Sequence, residues 1–369
     1  MDLDWILDFP INLRMTNVAT RLASLDQFRG YTVAAMFLVN FLGGYSSVPA
    51  ILRHHHTWCS YADTVMPQFF FAVGMALRLV MLRETEQHGQ ARALWRGTKR
   101  GILLLLLGWF WYHPGREFAS WHSLTELGIG ELIRELFLTN VFQALTHIGA
   151  VTLWVLPVIT GGARLRIGFA VASAGLHVWL SHAFWYETLQ QWGVIDGGPL
   201  GFLTWTLPVI AGSLTLDAIR SVTPCAPSRM AVAGALTMAA GYALACLTQG
   251  GVLAAPPFVP PWHASDLWTM SQRAGSVSYL LFSTGFSISI FAFFARWSDQ
   301  KAQSLRLFTD LGQNALAAYL VHMVVMDCLE CIGPSDSPLA WALLLSTIGF
   351  LVSWCAVRWL NERRLFLRL

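Results

Sequence analysis

Three successive histidines, His54, His55 and His56, are the densest run of chemically useful side chains in the chain. A neutral imidazole near pH 7 suits a general base. A histidine run can also hold metal. Yet neighbouring side chains point about 100° apart on a helix and to opposite faces in a strand, so three in a row close poorly on one ion. No metal is therefore expected. The run reads either as one catalytic histidine with two companions or as a solvated loop. Around it, polar residues fall inside otherwise apolar stretches: Asn40, Asp63, Asn140, Gln143, His147, Asn314, Tyr319 and His322. Such residues are costly in lipid and usually face a cavity or a partner helix. Singly, each reads equally as a helix–helix hydrogen bond; together they suggest one polar cavity. Asp26 and Arg29 stand three apart, on one helix face where they can pair. Arg29 could alternatively join Arg21 and the basic stretch ending at Arg100 in meeting an anionic ligand. Cys328 and Cys331 form a C-x-x-C inside an apolar run, either as ordinary small helix residues or as a redox pair.

The elements that must position these groups follow from composition. Hydrophobic residues make up 55% and charged residues 12%, about half the charge of a soluble domain. A bilayer span takes about 20 mostly apolar residues. That ruler predicts ten spans, at roughly 30–49, 63–82, 99–114, 138–159, 167–185, 200–219, 229–248, 275–295, 307–328 and 339–358. The backbone must satisfy itself in lipid, so helices are expected, and the apolar runs are too continuous for a barrel. With the amino terminus placed in the cytoplasm, 20 Lys and Arg fall on the inner side and 4 on the outer. Basic residues favour the cytoplasmic side, so both termini are expected there, in a multi-pass protein of the cytoplasmic (inner) membrane. Residues 1–20 read as a cytoplasmic or interfacial segment without a cleavable signal, since Asp2, Asp4 and Asp8 replace a basic leader. Net charge is only +3, and no nucleic-acid partner is expected. The predicted fold class is all-α: ten helices around a central pore, with the lipid bilayer as solvent and a homodimer left open.

Arg21-Leu22-Ala23-Ser24-Leu25-Asp26-Gln27-Phe28-Arg29-Gly30 resembles the R-L-x-S-x-D-x-F-R-G opening of the heparan-alpha-glucosaminide N-acetyltransferase family of transmembrane acyltransferases. The similarity continues through Val39-Asn40, Leu52-Arg53-His54, Ala62-Asp63-x-x-x-Pro67 and Phe69 to Gly74. It returns at Asn140-Val141-Phe142-Gln143, Asp196-Gly197 and Gly312-Gln313-Asn314 through Tyr319 to His322, and it implies one transmembrane acyltransferase domain over residues 21–369. Ala144 stands where the family usually has Arg. The resemblance is to bacterial-type members, which are expected to lack the lumenal domain of the human-type enzyme.

The resemblance implies a fold and a reaction. An acetyl (acyl) group would move from cytoplasmic acetyl-CoA to an extracytoplasmic sugar or glycan acceptor. Arg29, Asp26, Arg21 and Arg100 would meet CoA at the inner rim. The catalytic histidine corresponds to His54 by its Leu52-Arg53 context, or to His55 by an H-x-x-W spacing to Trp58. Asn40 would orient that histidine or polarise the thioester. Asp63, Asp196, Trp58, Gln143, Asn314 and His322 would read the acceptor. A transporter or channel for a small polar solute is the competing class, and an envelope scaffold a third.

Overall fold

The computed structural model describes residues 22–112, 120–134, 137, 141–192, 194–248, 253–262 and 264–367. Arg21 and Asn140 lie outside them. The described chain is helical, with no strand among the described residues. Its principal helices are α1 (Ala23–Gly43), α2 (Tyr61–His88), α3 (Gln90–Trp111), α4 (Ala144–Val155), α5 (Ala163–Leu180), α6 (Phe202–Arg220), α7 (Pro227–Ala245), α8 (Val277–Phe294), α9 (Arg306–Gln313), α10 (Ala315–Glu330) and α11 (Leu339–Glu362). A π-helical segment, Ser181–Trp185, carries α5 into Tyr186–Trp192, and another, Ala295–Gln300, extends α8.

Among the described residues, five helices are long and apolar enough to cross a membrane: Tyr61–His88, Ala163–Trp192, Gly198–Arg220, Val277–Gln300 and Leu339–Glu362. The other five expected spans depart from that standard for local reasons; α7, expected at 229–248, runs Pro227–Ala245 and takes in Arg229. The helix expected at 30–49 begins at Ala23, so it includes Asp26 and Arg29, and it stops at Gly43. The first half of α3 carries Arg92, Arg96, Lys99 and Arg100. At 12 residues, α4 is about 18 Å long, against a hydrocarbon core of about 30 Å. The stretch expected at 307–328 is broken at Asn314, where φ −132° and ψ 46° leave the helical region.

Helices pair as α7 with α8, α2 with α6, α3 with α4, and α1 with α9. Glycines permit the closest approaches. A Cβ on Gly74 would stand 1.9 Å from the Val209 carbonyl oxygen, and one on Gly212 would stand 2.0 Å from that of Phe71. Backbone therefore meets backbone along α2 and α6, which carry Asp63 and the Asp196 turn at their amino ends. In contrast, α11 leaves Leu343, Leu344, Leu351, Val352 and Trp359 exposed, a surface suited to lipid chains.

Hydrogen bonds sort the connections into two ends. At one end, the turn after α1 binds the turn after α10, through Ser46 N–H to the Ser335 carbonyl (2.8 Å). At the opposite end, Ser24 N–H donates to Asp299 Oδ1 (3.0 Å). Gln27 closes on the start of α9: its Oε1 accepts from Leu305 N–H (2.9 Å) and its Nε2 donates to Thr309 Oγ1 (2.6 Å). Asn314 joins the end of the described chain, donating to the Leu365 carbonyl (2.8 Å) and accepting from Leu367 N–H (3.1 Å). Both described ends of the chain thus meet at this second end. Here too Asp217 of α6 receives Arg78 of α2 through two 3.1 Å contacts, and also Arg166 of α5. Arg78 further donates to the Ile159 carbonyl just beyond α4 (2.7 Å), and Arg166 to Ser213 Oγ (2.7 Å).

Candidate active site

At the end where α1 finishes, four polar side chains from separate segments form one hydrogen-bonded chain. The build starts at the amino end of α2. Ser60 caps that helix, and Asp63 Oδ2 accepts from Ser60 N–H (2.9 Å) in a capping box. Ser60 Oγ also lies 2.9 Å from that oxygen and 2.8 Å from the Arg53 carbonyl, which ties the histidine loop to the cap. Pro67 has no N–H for the Asp63 carbonyl four residues earlier. Tyr279 of α8 supplies the missing donor, its hydroxyl reaching that carbonyl at 2.6 Å. The Asp63-x-x-x-Pro67 spacing therefore locks α2 to α8 beneath the site.

Asp63 Oδ1 then faces His54 Nδ1 at 2.9 Å, with the carboxylate fully buried and the imidazole 40% exposed. Gln272 Oε1 approaches the same nitrogen at 3.2 Å, and Gln272 Nε2 donates to Asp196 Oδ1 at 2.8 Å. Two acceptors at Nδ1 place the proton there and leave the Nε2 lone pair as the basic atom. Asp196 is buried in a left-handed conformation, φ 59°, which Asp tolerates better than most residues. Its carbonyl accepts from Trp205 Nε1 (2.8 Å), and Gly197 N–H donates to the Arg273 carbonyl (3.0 Å).

These surroundings set the proton affinities. Desolvation alone would depress the His54 imidazolium, but the Asp63 hydrogen bond and charge, with Asp196 and Gln272, hold it above the ordinary histidine value. Burial raises Asp196 to about 7 against the lowering pull of Gln272 and His54. Desolvation and then Arg273 lower His56.

The neighbouring histidines are arranged differently. His55 Nε2 donates to the Ala50 carbonyl (2.7 Å), and its ring stacks on Trp58, with centroids 4.1 Å apart. The H-x-x-W spacing thus corresponds to a stack that covers one face of the buried Trp58. The His56 carbonyl accepts from Ser271 Oγ (2.5 Å).

Other residues singled out in the sequence lie elsewhere. Asn40 Nδ2 faces His322 Nε2 at 3.0 Å, and His322 Nδ1 donates to the Tyr319 carbonyl (2.5 Å). Asn40 is therefore turned to His322, and no hydrogen bond joins it to His54. It lines a cavity of about 290 Å3 with Tyr45, Met326, Leu329, Glu330 and Leu345. Gln143 precedes α4, and its carbonyl accepts from His147 N–H. His147 is fully buried against Phe142 and Trp205. Asn314 is committed to the chain end, away from the His54 network. Asp26 and Arg29 are half-buried in the first turns of α1, whose main neighbours include α2, α9 and α11. The half-buried Arg100 sits on α3, which packs on α2 and α4. Cys328 and Cys331 are exposed thiols. Among the described residues, no three His, Cys, Asp or Glu side chains form a metal-binding group.

Sequence reasoning missed Gln272, Ser271, Ser60 and Tyr279. Only Ser60 carries a readable signal, as a helix cap three residues before an acidic side chain.

The chain matches no protein-family model and no curated protein.

The network carries a pH-dependent expectation. A reaction using His54 Nε2 should speed up as pH rises through a midpoint above the ordinary histidine value, because only the neutral ring is a base. Asp63→Asn removes the charge that favours the imidazolium, so that midpoint should move down. The amide can also present N–H to Nδ1 and shift the ring proton to Nε2. The plateau rate should then fall by roughly 10² to 10⁴. A rate–pH profile that keeps its midpoint and plateau would remove Asp63 from the chemistry.

Proposed function

We propose that the protein is a polytopic membrane enzyme that transfers acyl groups through a histidine base. Within that class, its motifs fit best a heparan-alpha-glucosaminide N-acetyltransferase-like enzyme, moving acetyl from cytoplasmic acetyl-CoA to an extracytoplasmic amino sugar or glycan. The observation that carries the reading is the His54–Asp63 pair, with Nδ1 occupied and no hydrogen bond at Nε2 among the described residues. In this reading ten helical passes surround a central path for the pantetheine arm, with both termini in the cytoplasm.

The chemistry needs one base. His54 Nε2 takes the proton of the acceptor amine or hydroxyl as that atom bonds the thioester carbonyl carbon. The carbon–sulfur bond then breaks, and CoA leaves as a thiolate that collects a proton. In the second route, His54 Nε2 itself carries the acyl group between thioester and acceptor. Asn40 and His322, already paired, supply amide and imidazole groups along the same path. Arg29, Asp26, Arg21 and Arg100 belong to the cytoplasmic rim, where CoA phosphates would enter.

Purified protein incubated with radiolabelled acetyl-CoA and an amino-sugar acceptor should release CoA and yield labelled acceptor. Solute flux without CoA binding would favour the transporter instead. The sidedness has its own check in a variant lacking native cysteines. Single cysteines at the exposed positions Ser120 or Ala264 should react with an impermeant maleimide from outside. Those at Gln90 or Gln303, also exposed, should react only after the membrane is opened. Labelling of Gln90→Cys in intact cells would reverse the orientation.

A further inference from the structure

The segment from Thr269 to Ser276 is built as a clamp. Ser276 Oγ donates to the Thr269 carbonyl (2.7 Å) and accepts from Ser271 N–H (3.2 Å), closing the turn on itself before it caps α8 at Tyr279 N–H. From this turn, Ser271 Oγ grips the His56 carbonyl, and the Arg273 carbonyl receives Gly197 N–H. The turn thus holds the histidine loop with one residue and the Asp196 turn with another. Gln272 lies between those two anchors, and its side chain spans the same gap.

The direction of its hydrogen bonds is determined step by step. Asp63 Oδ1 can only accept from His54, so Nδ1 bears the proton. The Gln272 atom facing Nδ1 is then the acceptor Oε1, which sends Nε2 toward Asp196 Oδ1. A carboxylate without hydrogens accepts that bond well, and a protonated one can still accept on its unprotonated oxygen. Asp63 contacts the imidazole from α2 alone. A second acceptor from a separate segment prevents rotation of the ring about its bond to Cβ.

We propose that Gln272 is a positioning residue: it holds Nδ1 of the His54 ring from a second segment and adds a hydrogen-bonded link to Asp196, whose charge also reaches the ring directly. The charged and titratable groups near His54 are Asp63 on α2, Asp196 before α6, and His55 and His56 in its own loop, with Arg273, beside Gln272, acting on His56. Of these, Asp196 is joined to the ring through Gln272. Burial raises Asp196 to about 7, the charges of Asp63 and Asp196 hold His54 above its ordinary value, and each of Asp196 and His54 therefore feels the other's ionisation. The kinetic consequence rests on the acyl-transfer reading; the titration consequence does not.

The test uses the full-length protein in nanodiscs with 15N-histidine. His54 is assigned from the resonance lost in His54→Ala. In wild type the His54 ring should titrate in two steps, and Asp196→Asn should remove one of them. Gln272→Met, close in length but without hydrogen-bonding atoms, should lower the His54 midpoint, keep the step due to the Asp196 charge, and add exchange broadening from ring rotation. Gln272→Glu, which keeps an acceptor beside Nδ1, should restore the sharp resonance and raise the His54 midpoint. If wild type shows acyl transfer, Gln272→Met should lower kcat roughly 10- to 100-fold with an unchanged acetyl-CoA KM, as expected for a displaced catalytic group. A His54 titration curve identical in wild type and Gln272→Met, with equal line widths, overturns the proposal whatever the enzyme's reaction. Absence of transfer by wild type with the titration shifts intact would overturn only the acyl-transfer reading.

Discussion

His54→Ala should abolish nearly all acyl transfer while acetyl-CoA still binds, and neither His55→Ala nor His56→Ala should do the same. The three side chains are adjacent in sequence but have different partners. His54 has Nδ1 held by Asp63 and, among the described residues, no hydrogen bond at Nε2. His55 spends its Nε2 on the Ala50 carbonyl and its ring face on Trp58, so its loss should loosen the loop and reduce the rate by a smaller factor. The ring of His56 titrates below the ordinary value, while its carbonyl, which the substitution retains, makes the link to Ser271. General-base catalysis supplies roughly 10² to 10⁴ in rate, and that is the loss expected at position 54. Initial rates at saturating acetyl-CoA, with CoA affinity measured separately, distinguish the three. A dead His55→Ala beside an active His54→Ala would move the base by one residue. If His54→Ala, His55→Ala and His56→Ala are all active, the base lies elsewhere, and His322 is the next to substitute.

The largest effect on stability should come from Asp217→Asn. One carboxylate serves two guanidinium groups here, and Arg78 and Arg166 are almost completely buried. Removing its charge leaves two buried cations facing each other, with Arg166 Nε already lacking a partner. Breaking a buried ion pair by removing one partner costs about 3–5 kcal/mol. The cluster also joins α2, α5 and α6, so its loss should loosen the pairing that carries Asp63 and Asp196. Equilibrium unfolding in mixed micelles should show the loss. The triple substitution Arg78→Met, Arg166→Met and Asp217→Leu should recover much of it, because no unpaired charge remains. A stability for Asp217→Asn within about 1 kcal/mol of wild type would mean that water or the Ile159 carbonyl already compensates the guanidinium groups.

The helical class was legible in the amino-acid sequence, for a reason that needs no long-range information. In lipid a backbone satisfies itself locally, so sustained apolar runs specify helices. The cap at Ser60 and Asp63 is equally local, its donors and acceptors lying within three residues. The opening stretch from Ser24 to Gly30 was legible as a pattern but not as a contact. Its residues are engaged by partners some 280 positions away, including Asp299, Leu305 and Phe308. The break at Asn314 was hidden by the same circumstance, since the groups that bind its side chain belong to the chain end.

The candidate site divides along the same line. Residue type and depth in the chain pointed to His54, Asp63 and Asp196 one at a time, because histidines and carboxylates beside apolar runs are conspicuous whatever surrounds them. Which histidine faces a carboxylate, and that Asn40 faces His322, depended on how α1, α2 and α10 pack. Gln272 was invisible for a related reason. A glutamine in a long loop has no distinguishing local pattern, and it becomes part of the site only when the turn before α8 meets the turn before α6. Periodicity and caps are short-range properties written along the chain. A hydrogen-bond chain linking residues 54, 63, 196 and 272 is a property of helix packing, and it exists only once those helices have closed.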